Sequence, residues 1–159
     1  MQPETLSRTD AGAIASYAAR VLRGEVPPPP IAQTLGLELV SVTAGQAVVA
    51  YRVDLGRHAN PMGTLHGGVL CDLADLAMGI AYGSTLLEDE SFTTAELALN
   101  FLRPAREGTL TAVARLVHAG RTLGLVECDV IDERGRLVAR AKSTCMTLRK
   151  AQQHDGRPA

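Results

Sequence analysis

The spacing of hydrophobic and polar residues changes along the chain. In residues 11–23, apolar side chains recur every three or four positions, which predicts a helix that Asp10 caps and Gly24 ends. The four prolines of residues 27–30 then predict a stiff, extended spacer. This segment is too short to be a DNA-reading module by itself, and we expect it to lie on the following domain as a peripheral arm.

Strand-like runs make up most of the remaining chain. Residues 37–43 and 46–54 are separated by Ala-Gly, which is typical of a β-hairpin. The loop of residues 56–65 contains Gly and Pro residues that argue against regular structure. Further strands are expected at residues 93–102, 108–118, 123–133 and 135–149.

Between the hairpin and the later strands lies one long helical pattern, residues 67–83. Its apolar residues cover nearly the whole circumference, so we expect the helix to be enclosed. One enclosed helix and about six strands imply an α+β fold, in which a curved antiparallel sheet wraps around one long central helix. The expected organisation is a helical arm and proline spacer at residues 1–30, a domain at residues 31–149, and a flexible tail at residues 150–159.

The composition argues against several classes of partner. The 159 residues suffice for one domain with a core, and a formal net charge of −1 favours neither nucleic acid nor an anionic membrane. With 3% aromatic residues and no Trp, the chain offers no platform for stacking single-stranded bases. No apolar run approaches the ~20 residues of a membrane-spanning helix, and the N-terminus lacks the apolar stretch of a secretory signal.

The spacing of cysteines and histidines does not indicate a metal site. Cys71, Cys128 and Cys145 are odd in number and far apart, which is typical of core thiols in a reducing compartment. His58 and His118 show no ligand spacing with other residues. We therefore expect a cytoplasmic protein with no metal and no other cofactor.

The start of the long helix carries a motif with a recognisable spacing. It consists of Asn60, Gly63, His66, Gly67, Gly68 and, nine positions after the histidine, Asp75. With the later stretches NFLRPA (residues 100–105) and AGRT (residues 119–122), it resembles the hotdog-fold acyl-CoA thioesterases, in particular the phenylacetate-pathway and 4-hydroxybenzoyl-CoA thioesterase branch. The resemblance spans about residues 31–149 and implies a hotdog fold and hydrolysis of an acyl-CoA.

Two glycines at a helix start suit the chemistry of a thioester. The first N–H groups of a helix have no internal partner, and the helix dipole places partial positive charge there. Gly67 and Gly68 would let a substrate carbonyl approach these groups closely, and a fixed N–H stabilises a tetrahedral oxyanion by roughly 3–4 kcal/mol. The alternative is that the glycines only form a tight turn into the helix.

The acid in the helix is expected to be the reactive group. The resemblance implies that Asp75 acts as a nucleophile or as the general base that activates water. Asp72 is the rival, one turn earlier and about 60° around the axis, where it would instead stabilise the N-terminal half of the helix. The family's spacing favours Asp75.

The remaining motif residues are expected to have supporting roles. The resemblance implies that Asn60 and His66 position the loop, the thioester or the water. His66 would either donate to the carbonyl or the leaving sulfur, or only hold Asn60 and the loop. Thr94 falls where family members carry a hydroxyl near the acid, so it is either a holder of the attacking water or an inward-facing strand residue.

Coenzyme A also needs cations for its phosphates. Arg103, Arg106, Arg121 and Lys142 are candidates at strand ends and turns, although each also suits a solvated surface position. Met62 and Met78 would line an acyl tunnel, with core packing the better interpretation for Met78.

The helix geometry indicates a second copy of the chain. Eight residues separate Gly67 from Asp75, which corresponds to about 12 Å along a helix, too far for both to act on one carbonyl. A two-fold partner with an antiparallel helix would bring Gly67 of one chain to Asp75 of the other. We therefore expect at least a homodimer, and the resemblance implies active sites at the subunit interface and often a homotetramer.

Two other functions are considered. A non-catalytic acyl-CoA-binding module or sensor would have no use for a costly carboxylate near the thioester. A hotdog acyl-CoA hydratase or dehydratase would need a histidine and an acid converging on the α and β carbons, whereas here the acid follows the HGG on the long helix. Hydrolysis is therefore favoured, and the acyl group itself is left open.

Overall fold

The computed structural model describes residues 12–149. The elements, in chain order, are α1 (Ala13–Leu22), α2 (Pro30–Leu35), β1 (Leu37–Thr43), β2 (Gln46–Arg52), α3 (Leu55–His58), α4 (Gly67–Gly83), β3 (Glu90–Phe101), β4 (Thr109–Ala119), β5 (Leu123–Asp132) and β6 (Leu137–Arg149). The predicted hairpin, long helix and run of later strands are all present, and α4 has the predicted bounds.

The six strands form one sheet in the order β1-β2-β4-β5-β6-β3, and every neighbouring pair is antiparallel. The helix α4 contacts all six strands. A flat sheet could not reach one helix with every strand, so the sheet curves around α4. The predicted α+β fold, with a curved antiparallel sheet around one long helix, is confirmed.

The core lies between α4 and the inward face of the sheet. Buried and more exposed residues alternate along β2 and along β5 as far as Val130, and Val49 and Val126 are fully buried. From the helix, Leu73, Ala77 and Met78 have no exposed surface. Met78 is thus a core residue, as favoured from the sequence.

One face of α4 remains open in the single chain, which corrects the expectation that the helix is enclosed on all sides. Asp72 is exposed, and Cys71, Asp75, Leu76, Gly79 and Ile80 are only half-buried. These positions form three adjacent pairs, 71/72, 75/76 and 79/80, which recur every four residues and therefore form a stripe along the helix. Six strands cover the opposite side and leave this stripe uncovered.

Buried hydroxyl groups fasten the C-terminal end of α4. The Ser84 hydroxyl accepts a hydrogen bond from Gly45 N–H in the β1–β2 turn (2.8 Å) and lies 2.7 Å from the Ala81 carbonyl, to which it donates. The Tyr82 hydroxyl is 2.7 Å from that of Thr147 on β6, and both side chains are buried. The helix is therefore fixed in its direction across the sheet.

Several local predictions need correction. Pro30 does not extend the spacer but occupies the first turn of α2, where its missing N–H costs nothing. The loop expected to lack regular structure contains α3, because the Asp54 side chain accepts from Arg57 N–H and starts a short helical turn. The expected cap Asp10 and the tail at residues 150–159 lie outside the described residues, and α1 begins after Gly12 without a side-chain cap.

A bulge in β3 was not predicted. The register with β6 shifts between Thr94 and Glu96, so Ala95 is an extra residue. The alternation of inward residues changes phase there: Phe92 and Thr94 are half-buried before the bulge, and Leu97 and Leu99 after it. The bulge therefore sets which side of β3 faces α4 at Thr94.

None of the helices in residues 12–149 combines the length and apolarity needed to cross a membrane.

Replacing a core leucine of α4 tests this packing. We expect Leu73→Ala to lower the free energy of unfolding by about 2–5 kcal/mol, because Leu73 is fully buried and its loss leaves a cavity. Chemical denaturation monitored by circular dichroism measures the change. Leu87→Ala is the matched control, since Leu87 is 58% exposed and its truncation should change stability by no more than about 0.5 kcal/mol. Equal effects of the two substitutions would contradict the described core.

Candidate active site

The loop before α4 is held by the side chain of Asn60. Its Oδ1 accepts from the N–H groups of Met62 (3.0 Å) and Thr64 (3.1 Å), and its Nδ2 donates to the Thr64 hydroxyl (2.8 Å). This closes residues 60–64 into a tight turn in which Gly63 adopts a positive φ of 69°. The geometry fits a loop-positioning role for Asn60, one of the roles considered from the sequence.

His66 is the cap of α4. Its Nδ1 accepts a hydrogen bond from the Gly68 N–H at 2.9 Å, so the ring proton lies on Nε2. One alternative from the sequence was that His66 holds Asn60 and the loop; in the structure the Asn60 side chain bonds Met62 and Thr64 of its own loop instead. The Gly68 N–H, expected to face substrate, is already occupied by the His66 ring.

Gly67 thus presents the available donor at this helix end. As the first helical residue it has no acceptor within the helix, and no other partner for its N–H occurs among residues 12–149. The ring of Phe101, at the end of β3, lies against it: a Cβ atom at Gly67 would be 2.8 Å from Phe101 Cζ. Phe101 is 57% exposed and forms one wall beside the donor. Sequence reasoning did not assign it a role, although it lies in the NFLRPA stretch.

Asp75 and Thr94 meet across the gap between α4 and β3. The Thr94 hydroxyl donates to Asp75 Oδ1 at 3.1 Å, and both side chains are half-buried. The bulge at Ala95 follows directly and turns Thr94 toward the helix. The predicted pairing of a hydroxyl with this acid is therefore present, with its other carboxylate oxygen free of any partner among the described residues.

The rival acid Asp72 lies on the open stripe near Asp75. Partial burial raises the pKa of the Asp72 carboxyl, and the negative charge of Asp75 raises it further. The pKa of the neighbouring Cys71 thiol is also raised, first by partial burial and then by the charges of Asp72 and Asp75. Asp72 is exposed and no hydrogen bond to its side chain is found within residues 12–149, so the structure offers it no partner comparable to Thr94.

The four candidate CoA-binding cations do not converge in one chain. Arg103 and Arg106 lie on either side of Ala105, whose carbonyl accepts a hydrogen bond from the N–H of Leu65, the residue before His66 (2.8 Å), so both lie near the start of α4. Arg121 lies at the far end of β4, about 35 Å away along the eleven residues of that strand.

Lys142 is exposed on the face of β6 that points away from α4. A single chain therefore places two of the four cations near the site.

An apolar cavity of about 400 Å³ opens beside Asp75 and Thr94. Neither Met62, which is 76% exposed, nor the buried Met78 lines it. Its walls come from α4, β1, β3 and, unexpectedly, from α1 and the proline spacer. Sequence reasoning missed this arrangement because the helical period of residues 11–23 showed an apolar stripe without showing what it would face.

The described residues 12–149 contain no group of three or more Cys, His, Asp or Glu side chains arranged to hold a metal ion. The site consists of a carboxylate with a hydroxyl partner, an available N–H at a helix end, and an apolar cavity next to the carboxylate. Such a set can bind an acyl group and activate water or attack a carbonyl directly.

Comparison with known proteins gives a consistent family. Residues 62–139 match the family described as the thioesterase superfamily. The 1,4-dihydroxy-2-naphthoyl-CoA hydrolase of Listeria monocytogenes serotype 1/2a (strain 10403S) is 34% identical over 118 residues, which cover 74% of this chain and 95% of the relative. The acyl-coenzyme A thioesterase PaaI of Escherichia coli K12 is 34% identical over 109 residues, 68% of this chain and 75% of the relative.

A solved structure with high coverage agrees. A phenylacetic acid degradation-related protein from Ralstonia eutropha JMP134 superposes with a TM-score of 0.74 at 38% identity, covering 82% of this chain and 98% of that one.

The acid pair on the open stripe has a measurable electrostatic effect on Cys71. A raised pKa leaves less thiolate at pH 8, so removing the Asp72 charge should lower the pKa of Cys71 and speed its alkylation. We expect Asp72→Asn to react faster than wild type with iodoacetamide, a neutral reagent, as measured by mass spectrometry. Asp89→Asn, an exposed acid outside the stripe, should leave the rate unchanged, and Cys71→Ser identifies the labelled residue. Equal rates of Cys71 alkylation in wild type and Asp72→Asn would contradict the described proximity.

Proposed function

Because the chain belongs to the thioesterase superfamily, as a thioesterase-type hydrolase with the hotdog fold, we propose that it hydrolyses an acyl-CoA to the free acid and CoA, with Asp75 as the reacting carboxylate. The observation that carries this proposal is the hydrogen bond from Thr94 to Asp75 at the edge of an apolar cavity. A carboxylate held at the polar end of such a cavity is placed to meet the carbonyl of a bound acyl group.

Two routes are open to Asp75. As a general base it takes a proton from water, whose oxygen attacks the carbonyl carbon; the C–S bond then breaks, and the CoA thiolate leaves and is protonated. As a nucleophile its carboxylate oxygen attacks the carbonyl carbon, the C–S bond breaks and the CoA thiolate leaves. Water then hydrolyses the resulting mixed anhydride, which releases the free acid and restores Asp75. The Thr94 hydroxyl occupies one oxygen of the carboxylate in either case, which orients the other oxygen toward the substrate.

The N–H of Gly67 is the proposed oxyanion donor. It is fixed at the positive end of α4, and such a donor lowers the barrier by about 3–4 kcal/mol when it faces the developing negative charge. His66 supports it indirectly, because its ring takes the Gly68 N–H and so caps the helix end. We infer a positioning role for His66 and Asn60 rather than direct contact with the carbonyl.

Gly67 and Asp75 are proposed to act together only across a dimer. The continuous helix α4 separates them by about 12 Å, so one chain cannot place both on one carbonyl. Two features of the chain favour a second copy. The sheet leaves the stripe of α4 that carries Asp75 uncovered, and the twelve-residue strand β3 next to it pairs with β6 on one side only within the described residues. A long open strand edge pairs readily with another copy of itself.

A dimer would also bring further cations to the substrate. Arg103 and Arg106 lie near the start of α4 in the chain that supplies Gly67. Arg121 and Lys142 would have to come from a neighbouring copy to contribute to the same CoA. The proposed substrate phosphates are therefore bound mainly by Arg103 and Arg106, bidentately where the geometry allows.

Paired substitutions of the two acids test the reacting group. We expect Asp75→Asn to lower kcat by about 10²–10⁴-fold, because an amide can neither accept the proton nor attack the carbonyl. Asp72→Asn should stay within about threefold of wild type. Release of free thiol from a panel of acyl-CoAs, from acetyl to octanoyl, phenylacetyl and hydroxybenzoyl, measures both. An inactive Asp72→Asn variant together with an active Asp75→Asn variant would show that Asp72, and not Asp75, is the reacting acid.

Mixed subunits test the shared site. We expect Asp75→Asn and Gly67→Val homodimers each to be inactive, the second because a branched side chain blocks the donor. A heterodimer of the two, isolated with two different affinity tags, should recover about half of wild-type activity, since one of its two sites receives an intact Gly67 and an intact Asp75. A heterodimer without activity would place both groups in the same chain's site and contradict the dimer proposal.

A further inference from the structure

The cavity beside Asp75 has one polar end. Asp75 is the only charged residue among the described residues that line it, and the Thr94 hydroxyl lies next to that carboxylate. The Tyr17 hydroxyl also reaches the lining, but it donates to the Pro27 carbonyl at 2.9 Å. All other lining residues are apolar or glycine. This polarity suits a ligand with one reactive polar group and an apolar remainder.

The N-terminal arm, which consists of α1 and the proline spacer, supplies a large part of the apolar wall of the cavity. Its contribution consists of Ile14, Tyr17, Ala18, Val21, Pro28 and Pro29. These residues all precede the 62–139 stretch that matches the family. The wall opposite them is formed by Asp75, Leu76, Gly79 and Ile80, the open stripe of α4.

Specific contacts hold the N-terminal arm against the rest of the domain. Ile14 packs against Gly83, where a Cβ atom would lie 2.5 Å from the Ile14 side chain. The Tyr17 hydroxyl ties α1 to the spacer through Pro27, and the Gln33 side chain donates to the Pro28 carbonyl at 2.7 Å. The Ile14 contact joins α1 to the C-terminal end of α4, and the two hydrogen bonds connect the spacer to α1 and to α2.

The size of the cavity suits a ligand. The cavity has a volume of about 400 Å³. This volume lies near the lower end of the range for ligand pockets, ~300–1,000 Å³. It is too large for an acetyl group alone and suits a medium-length or aryl acyl group.

We propose that the N-terminal arm forms the acyl-binding wall of this enzyme and selects medium-length, uncharged acyl groups, whose carbonyl is presented to Asp75 while the tail lies between α1 and the open stripe of α4. This inference rests on the proposed hydrolysis of an acyl-CoA. It assigns a role to residues 12–30, for which the resemblance offered none.

A pair of neighbouring substitutions in α1 tests the proposal. Val21 lines the cavity, whereas Leu22 is 40% exposed and does not line it. We expect Val21→Phe to lower kcat/KM for octanoyl-CoA by at least about tenfold while acetyl-CoA changes by less than about twofold, since the larger ring fills the space of the acyl tail. Leu22→Phe should leave the chain-length profile of wild type intact. The same loss for acetyl- and octanoyl-CoA, or the same profile shift in Leu22→Phe, would overturn the proposal.

A second variant covers the case in which Val21→Phe does not fold. Val21→Ala enlarges the cavity, so its optimum should move toward decanoyl- and dodecanoyl-CoA. Thermal unfolding curves identify variants that fold. An unchanged optimum in a folded Val21→Ala protein would also overturn the proposed wall.

Binding measurements separate this inference from the proposed function. In the Asp75→Asn background, isothermal titration calorimetry should show octanoyl-CoA binding at least about tenfold more tightly than acetyl-CoA, and Val21→Phe in that background should remove the difference. If wild type cleaves no thioester but this binding pattern holds, the hydrolase proposal fails and the acyl cavity stands. Equal affinities for the two acyl-CoAs would overturn the cavity, whatever the result for hydrolysis.

Discussion

A helix that is apolar on nearly every side must bury its apolar surface against other elements. In this chain six strands curve around α4 and bury the side that carries Leu73, Ala77 and Met78, but they leave a stripe along the helix uncovered. Every feature of interest lies on or beside that stripe: the two acids, the edge strand β3, and the cavity under the N-terminal arm. The limited reach of one six-stranded sheet around one helix is therefore the constraint that creates the site.

The two ends of α4 differ in their hydrogen bonds, and the difference suits catalysis. At the C-terminal end, Ser84 and Tyr82 make buried hydrogen bonds to the β1–β2 turn and to β6, which fix the helix in place. At the N-terminal end, the His66 ring takes one backbone donor and leaves that of Gly67 available. In our proposal the Gly67 N–H is a preorganised donor, because a helix that is fixed in place needs no reorientation when negative charge develops.

The stripe of α4 that the sheet leaves open has two parts. Toward its C-terminal half, α1 and the proline spacer cross it at a distance and leave an apolar cavity. Toward Asp72 it stays exposed, next to the open edge of β3. Partial burial and the negative charge of Asp75 both raise the pKa of the Asp72 carboxyl in this exposed part. In our proposal the second copy of the chain covers this part and supplies the missing Gly67.

The sequence by itself determined the element order, the bounds of α4, the α+β class and the residues of the motif, because hydrophobic period and helix-start chemistry are local properties. It also determined that Asp75 follows Gly67 by eight positions and Gly68 by seven on the same helix. Only the tertiary structure decided between Gly67 and Gly68 as the available donor, since the direction of the His66 ring is not encoded in spacing. The Thr94–Asp75 bond depends on a bulge at Ala95, and the wall formed by Val21 and Pro28 depends on how far α1 lies from α4. These are distances between segments remote in sequence, which side-chain packing sets and which no local pattern contains.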